Sequence, residues 1–343
     1  MNILVRLLLI GLIMFLVVLG YSYKFQQTYN LAKNPVRATN TDHIVNHSLG
    51  KTIVPLHPQR VVILDDSCLD NALAVGIIPI GAPKIFFSDL KPDLKIDSLI
   101  AKKIVDVGFL PTNIEKILAL KPDLILGLDV THQDIYPLLS HIAPTVLIHI
   151  NSVQDWQDNF IRVATILGKS DRAQKVISDY KFRLLSLKTA IGARLSSIKV
   201  SLINVGYGAR IIRVLQWDKD SFAISVLQQV GLARMVLPTI KVSDHWFKII
   251  SLGESNISEE DILEIDGDII LVVLPGSSFS KAVIDTHQKA IKQLQATPLW
   301  SKLKAVQQGH VYQVGLHWIG NGSIAANLAL DDLFKYLCPI KKV

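Results

Sequence analysis

The chain has 343 residues, half of them apolar, with 19 Gly and 14 Pro; this allows about two domains of ordinary size and excludes disorder over most of the length. The formal charge of +7 is spread out, with no long Lys/Arg block and no basic–aromatic interleaving. A nucleic-acid partner is therefore disfavoured, and a basic surface or cleft meeting an anionic ligand fits the balance. Cys68 and Cys338 lack metal-type spacing and sit in apolar helical contexts, which reads as buried free thiols.

Residues 3–19 form an apolar run broken only by Arg6 and Gly11, so 1–22 reads as a secretory signal peptide or a short membrane anchor. The Val18-Leu19-Gly20 end permits cleavage before Tyr21 but lacks a small-x-small site, and no Cys follows Gly20 to accept a lipid. If the segment is retained, Tyr21 and Tyr23 lie at the interface. Either outcome exports the rest. Residues 23–52 lack periodicity and read as a tether, with a first strand near 42–45.

From Arg60 the pattern is strand, helix, strand: 61–64 is a continuous apolar run, Asp65-Asp66-Ser67 caps a helix over 68–75, and Gly76 closes it before the strand beginning at 77–81. Residues 107–126 then read VGFLPTNIEKILALKPDLIL, and 252–271 read LGESNISEEDILEIDGDIIL. Aligned without a gap, Gly108 matches Gly253, Glu115 matches Glu260, and Asp123 matches Asp268. Each copy is a Gly turn, a capping residue (Thr112 or Asn113; Ser255 or Ser258), a short helix beginning at its acid, and a buried strand. Two copies of this length predict two similar lobes. A helix near 134–140 and a strand at 145–150 complete a βαβ series, hence a parallel sheet with helices on both faces.

The longest helical region follows. Residues 156–167 stop at Gly168, and Ser170 or Asp171 caps a second helix whose apolar positions (Ala173, Val176, Ile177, Tyr180, Leu184, Leu187, Ile191) recur at threes and fours. Some 25 residues at 1.5 Å each span roughly 35 Å, a strut between two lobes rather than a Gly/Ser linker. Beyond it, 199–205 and 210–215 read as strands, 222–230 as a helix, 290–303 as helical, 311–314 as a strand and 325–337 as a final helix. The domains are thus an N-terminal lobe at 53–151, a helical region at 152–197 and a C-terminal lobe at 198–343. Gly206-Tyr207-Gly208 lacks the third Gly of a dinucleotide loop, since Ile211 stands there, and neither a phosphate loop nor a Gly-x-Ser-x-Gly elbow is present. A two-lobed enzyme is correspondingly disfavoured.

The stretches RVVILDDSCLDNALAVGIIPIGAPK, NIEKILALKPDLILG, HIAPTV, SEEDILEIDGDIILVV, PLWSKLKAVQQGHVYQV and LALDDLFKYL together resemble the periplasmic iron–siderophore binding proteins of ABC importers, over about residues 52–340. The resemblance implies two Rossmann-like α/β lobes joined by a single long helix, with ligand in the cleft between them and no catalysis. It also implies that Glu115 and Glu260, one per lobe, dock on the permease dimer; without it, each acid simply complements a helix dipole. A cobalamin or haem receptor on the same scaffold is the alternative.

Ligands of open α/β sheets gather at the carboxyl ends of strands. That rule selects Asp65, Asp66, Lys84, Phe109 and residues 129–132 in the first lobe, and Tyr207, Arg210, Arg213, Trp217, the Asp244-His245-Trp246 loop and His317-Trp318 in the second. A ferric siderophore brings its iron already chelated, so the protein supplies aromatic walls and Arg or Lys donors, with no cofactor and no metal ligands of its own. Arg210 and Arg213 point to opposite faces of one strand, and Arg213 is preferred. Trp246 and Trp318 are the preferred walls, and Trp300 reads as core. His132, His245 and His317 fall short of a dedicated metal pattern.

Overall fold

A computed structural model describes residues 41–84, 102–150, 155–204, 222–232, 263, 266–274 and 281–338. The described elements, apart from the start of the first strand, belong to one compact unit, Ile44–Val343. They form two separate parallel sheets, as the two-lobed reading requires.

The N-terminal sheet contains β3 (Val61–Ile63), β4 (Gly81–Ala82), β5 (Val105–Asp106), β6 (Leu124–Leu128) and β7 (Thr145–Ile148), in the order β5-β4-β3-β6-β7. All its pairings are parallel. Alternate residues feed opposite faces, as a strand's period of two demands. Val61, Ile63, Leu124, Leu126, Val146 and Ile148 pack into one core with α1 (Asp66–Ala74) and α5 (Trp156–Ile166). Val62, Leu64 and Ile125 pack into the other with Ile117 of α2 (Ile114–Leu120) and Leu139 of α4 (Tyr136–Ile142). The short α3 (Asp129–His132) lies between β6 and α4.

The C-terminal sheet runs β10-β9-β8 from β8 (Val200–Asn204), β9 (Ile269–Val273) and β10 (Val311–Val314), again parallel. Val200, Leu202, Ile269, Leu271 and Val273 face α7 (Phe222–Val230) and α10 (Ser323–Leu337). Ile203, Ile270 and Val272 face Ile291 and Leu294 of α8 (Lys281–Gln295), Trp300, and Ala305 of α9 (Lys304–Gln307). Trp300 is core, as its sequence context suggested.

Between the lobes stands α6 (Ser170–Ile191), whose 22 residues span about 33 Å at 1.5 Å per residue. Ala173 and Ile177 lie in the N-terminal core, while Tyr180, Leu187 and Ile191 lie in the C-terminal one. One apolar stripe therefore serves two cores. Neither Ser170 nor Asp171 caps this helix: the chain enters it at Lys169, and no side chain bonds its first amides. The Ser170 hydroxyl pairs instead with that of Thr165, 3.2 Å away.

Several boundaries differ from the sequence reading. β1 (Asp42–His47) and β2 (Gly50–Pro55) form a hairpin across the expected end of the tether at 52. The Thr52 and Ser48 hydroxyls donate to the Thr145 and Leu147 carbonyls of β7 at 3.0 and 3.1 Å, covering the edge of that strand. The helix expected over 290–303 instead begins at Lys281 and ends at Gln295, because Pro298 denies a further turn its amide; a tight turn at Trp300–Lys302 follows. The strand expected over 210–215 lies outside the described residues.

The internal repeat is visible where both copies are described. Asp123 and Asp268 each directly precede an interior strand of their sheets, β6 and β9. Asp123 accepts from the amides of Gln59 and Arg60 at 2.7 and 2.9 Å, just before β3. Asp268 accepts from the amide of Lys199 at 2.8 Å, just before β8, and also pairs with Lys304. The backbone repeats the motif: the Asp123 amide donates to Arg60 and the Asp268 amide to Lys199. The matched aspartates therefore set the register of β3 on β6 and of β8 on β9.

Candidate functional site at the carboxyl edges of the two sheets

In the first lobe the chain runs outward one way through β3, β4 and β5, then returns to place β6 and β7 on the other side of β3. That reversal makes a crevice at the carboxyl ends of β3 and β6, where open α/β sheets take their ligands. On the β3 side, Asp65 caps α1 by accepting from the Cys68 amide at 2.8 Å. Its second oxygen is buried without a partner. Burial, and then the charge of Asp66, pushes its carboxyl up to about 7, and Asp66 is raised by burial as well. Burial also holds the Cys68 thiol protonated, with the nearby Asp65 adding to the effect. Cys68 is fully buried, as expected, but Cys338 is only partly so.

On the β6 side, Asp129 accepts from its neighbour Val130 at 2.7 Å and pairs with His149 at 2.8 Å. His132, chosen from sequence as ligand-facing, is instead fully buried. Its Nδ1 bonds the Leu128 carbonyl at 3.0 Å, and burial lowers its pKa. The periodicity of a single turn such as α3 cannot say which way a side chain faces; only its packing beside Gly127 decides it.

Lys84 and Phe109 lie one and two strands away from the crevice, after β4 and β5. Lys84 is exposed and Phe109 half-buried. One carboxylate gathers them: Asp106 Oδ1 accepts from the amides of Lys84 and Gly108, both at 3.0 Å, and the Lys116 ammonium bonds the Asp106 carbonyl at 2.8 Å. Partial burial opposes the charge on Asp106, but these amides and the two lysines outweigh it and hold the carboxyl below its usual range. Gly108 takes a left-handed φ of 70°, and a Cβ there would lie 2.7 Å from the Pro111 carbonyl, so the turn presenting Phe109 requires glycine. Asp106 had no signal in the sequence, because the two-residue strand it ends shows no pattern there.

In α2, Asn113 is the cap, accepting from the Lys116 amide at 2.9 Å. Glu115 follows in the first turn, exposed and pointing to solvent. Its repeat partner Glu260 lies outside the described residues, as do Tyr207, Arg210, Arg213, Trp217 and the Asp244-His245-Trp246 loop.

The described part of the second lobe's edge is the turn Leu316–Ile319 after β10. Trp318, expected to wall the ligand, is fully buried in the C-terminal core. Its indole N–H donates to Asp332 Oδ2 at 2.8 Å, and His317 Nε2 meets the same oxygen at 2.8 Å. An exposed wall would need a free ring face; Trp318 anchors the turn from beneath instead. The sequence offered the aromatic at the right strand end but not the acid on α10 that draws it inward. Among the described residues, no group of three or more His, Cys, Asp or Glu could hold a metal ion, and no helix is long and apolar enough to cross a membrane.

Comparison with known proteins places this arrangement among binding proteins. A family model described as "Periplasmic binding protein" matches residues 61–315. The "Probable siderophore-binding lipoprotein YfiY" of Bacillus subtilis is 31% identical over 313 residues, covering 90% of this chain and 92% of that protein. The "Fe(3+)-citrate-binding protein YfmC" of the same organism is 29% identical, covering 78% of this chain and 77% of its own. Among solved structures, the triscatecholate siderophore binding protein FeuA of Bacillus subtilis, complexed with Ferri-Bacillibactin, superposes with a TM-score of 0.67 at 25% identity, covering 88% of this chain and 100% of that one. Staphylococcus aureus SirA complexed with staphyloferrin B gives a TM-score of 0.63 at 25% identity, covering 86% and 98%.

Proposed function

The chain belongs to the periplasmic binding protein family, and from that premise we propose that it captures a ferric siderophore between its two lobes and delivers it to an ABC import permease, with no catalytic step of its own. The observation that carries the reading is α6. A single helix rooted in both cores holds the carboxyl edges of two sheets apart, which suits a bulky preformed chelate. The ligand class comes from the relatives, which are named for siderophores and ferric citrate. The protein works outside the cytoplasmic membrane, exported or tethered by residues 3–20. Lys84 and Phe109 contribute from the first lobe; Tyr207, Arg210, Arg213, Trp217 and Trp246 contribute from the second.

Delivery uses Glu115 and Glu260, one carboxylate per lobe, which steer docking on a two-fold receptor. Glu115 is exposed, so it is free to meet a basic pocket. Ferric hydroxamates or ferric citrate quench the tryptophan emission of the purified protein at micromolar concentration or below. Replacing both glutamates by alanine leaves that quenching intact and reduces uptake of labelled iron. Quenching by haem or cobalamin alone would replace the ligand; unchanged uptake by the double variant would remove the docking role.

A further inference from the structure

The two lobes meet at a second place besides α6. The first turn of α10, whose apolar residues Ala325, Ala326, Ala329 and Leu330 belong to the C-terminal core, abuts α1, whose Cys68, Leu69 and Ala72 belong to the N-terminal core. Asp70 of α1 faces that turn. Its Oδ1 accepts from the Ile324 amide at 2.8 Å and its Oδ2 from the Ala325 amide at 2.9 Å. Asn71 Oδ1 accepts from the Ser323 amide at 3.2 Å. A helix's first amides ordinarily find a cap within their own segment or water. Here the cap comes from the other lobe, more than 250 residues earlier in the chain.

The fit is close. No side chain of α10's own approach caps it, since Gly322 stands at that position. A Cβ on Gly322 would lie 2.3 Å from Asp70 Cγ, so any other residue there displaces the carboxylate. Asp70 is 5% exposed and Asn71 fully buried, so water does not compete for these bonds. Both helices leave the carboxyl edges of their sheets, α1 directly after β3 and α10 after β10 and the Leu316–Ile319 turn. The contact therefore lies on the side of the sheets' carboxyl edges, not at the far ends of the lobes.

We propose that Asp70 and Asn71, closed over Gly322 onto the first turn of α10, form an inter-lobe clasp that sets the spacing of the two carboxyl edges before ligand arrives. α6 alone resists bending along its axis but leaves rotation of one lobe about that axis opposed by side packing, including Trp156 of α5 in the C-terminal core, and by the 3.3 Å Gln157–Gln229 hydrogen bond. The clasp adds directed bonds away from the axis of α6, and with them the lobes keep one relative orientation. A cleft built in this way spends little free energy on ordering when it binds. The clasp stands on the lobe contact alone, so it can be tested without any ligand.

Spin labels placed at Lys102 in the first lobe and Lys289 in the second, both exposed, report the lobe spacing in a Cys338→Ser background. The parent gives a single narrow distance distribution by double electron–electron resonance. Asp70→Ala and Gly322→Ala each broaden it, while Asp70→Asn, which keeps one acceptor, falls between. In the same variants the amides of residues 323–325 lose protection against hydrogen exchange by about tenfold or more, the loss expected for removing a buried hydrogen-bonded cap, while those of β9 keep theirs. A distribution as narrow in Asp70→Ala as in the parent overturns the clasp. So does an equal loss of protection in β9, which would make Asp70 a determinant of global stability and not of lobe spacing.

Discussion

Two buried carboxyls, Asp65 at the cap of α1 and Asp70 on it, give this protein a pH dependence of unusual sign. Asp65 and Asp70 are each pushed by burial to about 7, from an ordinary 3.8. Burial, joined by the charge of Asp66, outweighs the two α10 amides and the Ser323 hydroxyl that draw Asp70 down. The folded chain thus holds protons that the unfolded chain has released, and stability is full below about pH 4 for these groups and declines as pH rises through 7. Asp65→Asn keeps the cap to Cys68 and removes one titration. Urea unfolding between pH 4.5 and 6.5 should then show a slope shallower by about one proton, ~1.4 kcal/mol per pH unit. An unchanged slope would mean that Asp65 is ionised throughout. Asp268 behaves oppositely: its bonds to Lys304 and the Lys199 amide hold it low, so its contribution is present at neutral pH and lost as pH falls through its depressed folded value.

The repeated acids divide their labour at this scale too. Asp123 accepts two backbone amides, whereas Glu115 is exposed in a first helical turn. Asp123→Ala should cost about 1–3 kcal/mol of stability, the range for leaving amides unpaired, and Glu115→Ala under about 0.5 kcal/mol, as for an ordinary surface change. Equal losses would show that Glu115 is structural. The sequence displayed both matched pairs, but only the fold separates the acid that aligns strands from the acid that is free to dock.

Among the elements, α6 was the most legible, because its apolar spacing is long and regular and each marked position lies in or against a core. β10 and α7 were equally plain, being short apolar runs between firm stops. What the sequence hid was contact across distance. No local pattern says that Trp318 turns down to Asp332, that His132 turns in beside Gly127, or that α10 is capped from α1. Those outcomes depend on which elements meet, and periodicity is silent on that. Because α6 serves both cores, damage at one end should be felt at both. Leu187→Ala opens a cavity in the C-terminal core and should cost about 2–5 kcal/mol. Probes in the two lobes should still unfold in one transition. Two separated transitions would show that the lobes are energetically independent despite the shared helix.

At the scale of the whole molecule, the fold class and the two-lobed plan followed from the repeated turn–helix–strand unit. The ligand-facing surface was less legible. Of the described candidates, Lys84 and Phe109 sit at the carboxyl edge, where Asp106 ties the amide of Lys84 to that of Gly108, while Trp318 supports that edge from within. The carboxyl ends of β3 and β6 carry Asp65, which is buried, and Asp129, which pairs with His149, so cationic contacts to an anionic chelate come chiefly from elsewhere. The most direct measurement is isothermal titration calorimetry of the purified protein with one chelator in three forms: the ferric complex, the iron-free chelator and the iron salt. A receptor for a preformed chelate binds the ferric complex at one per chain and takes up neither of the others with comparable affinity. Tight binding of the bare iron, with no heat from any ferric complex, would contradict it.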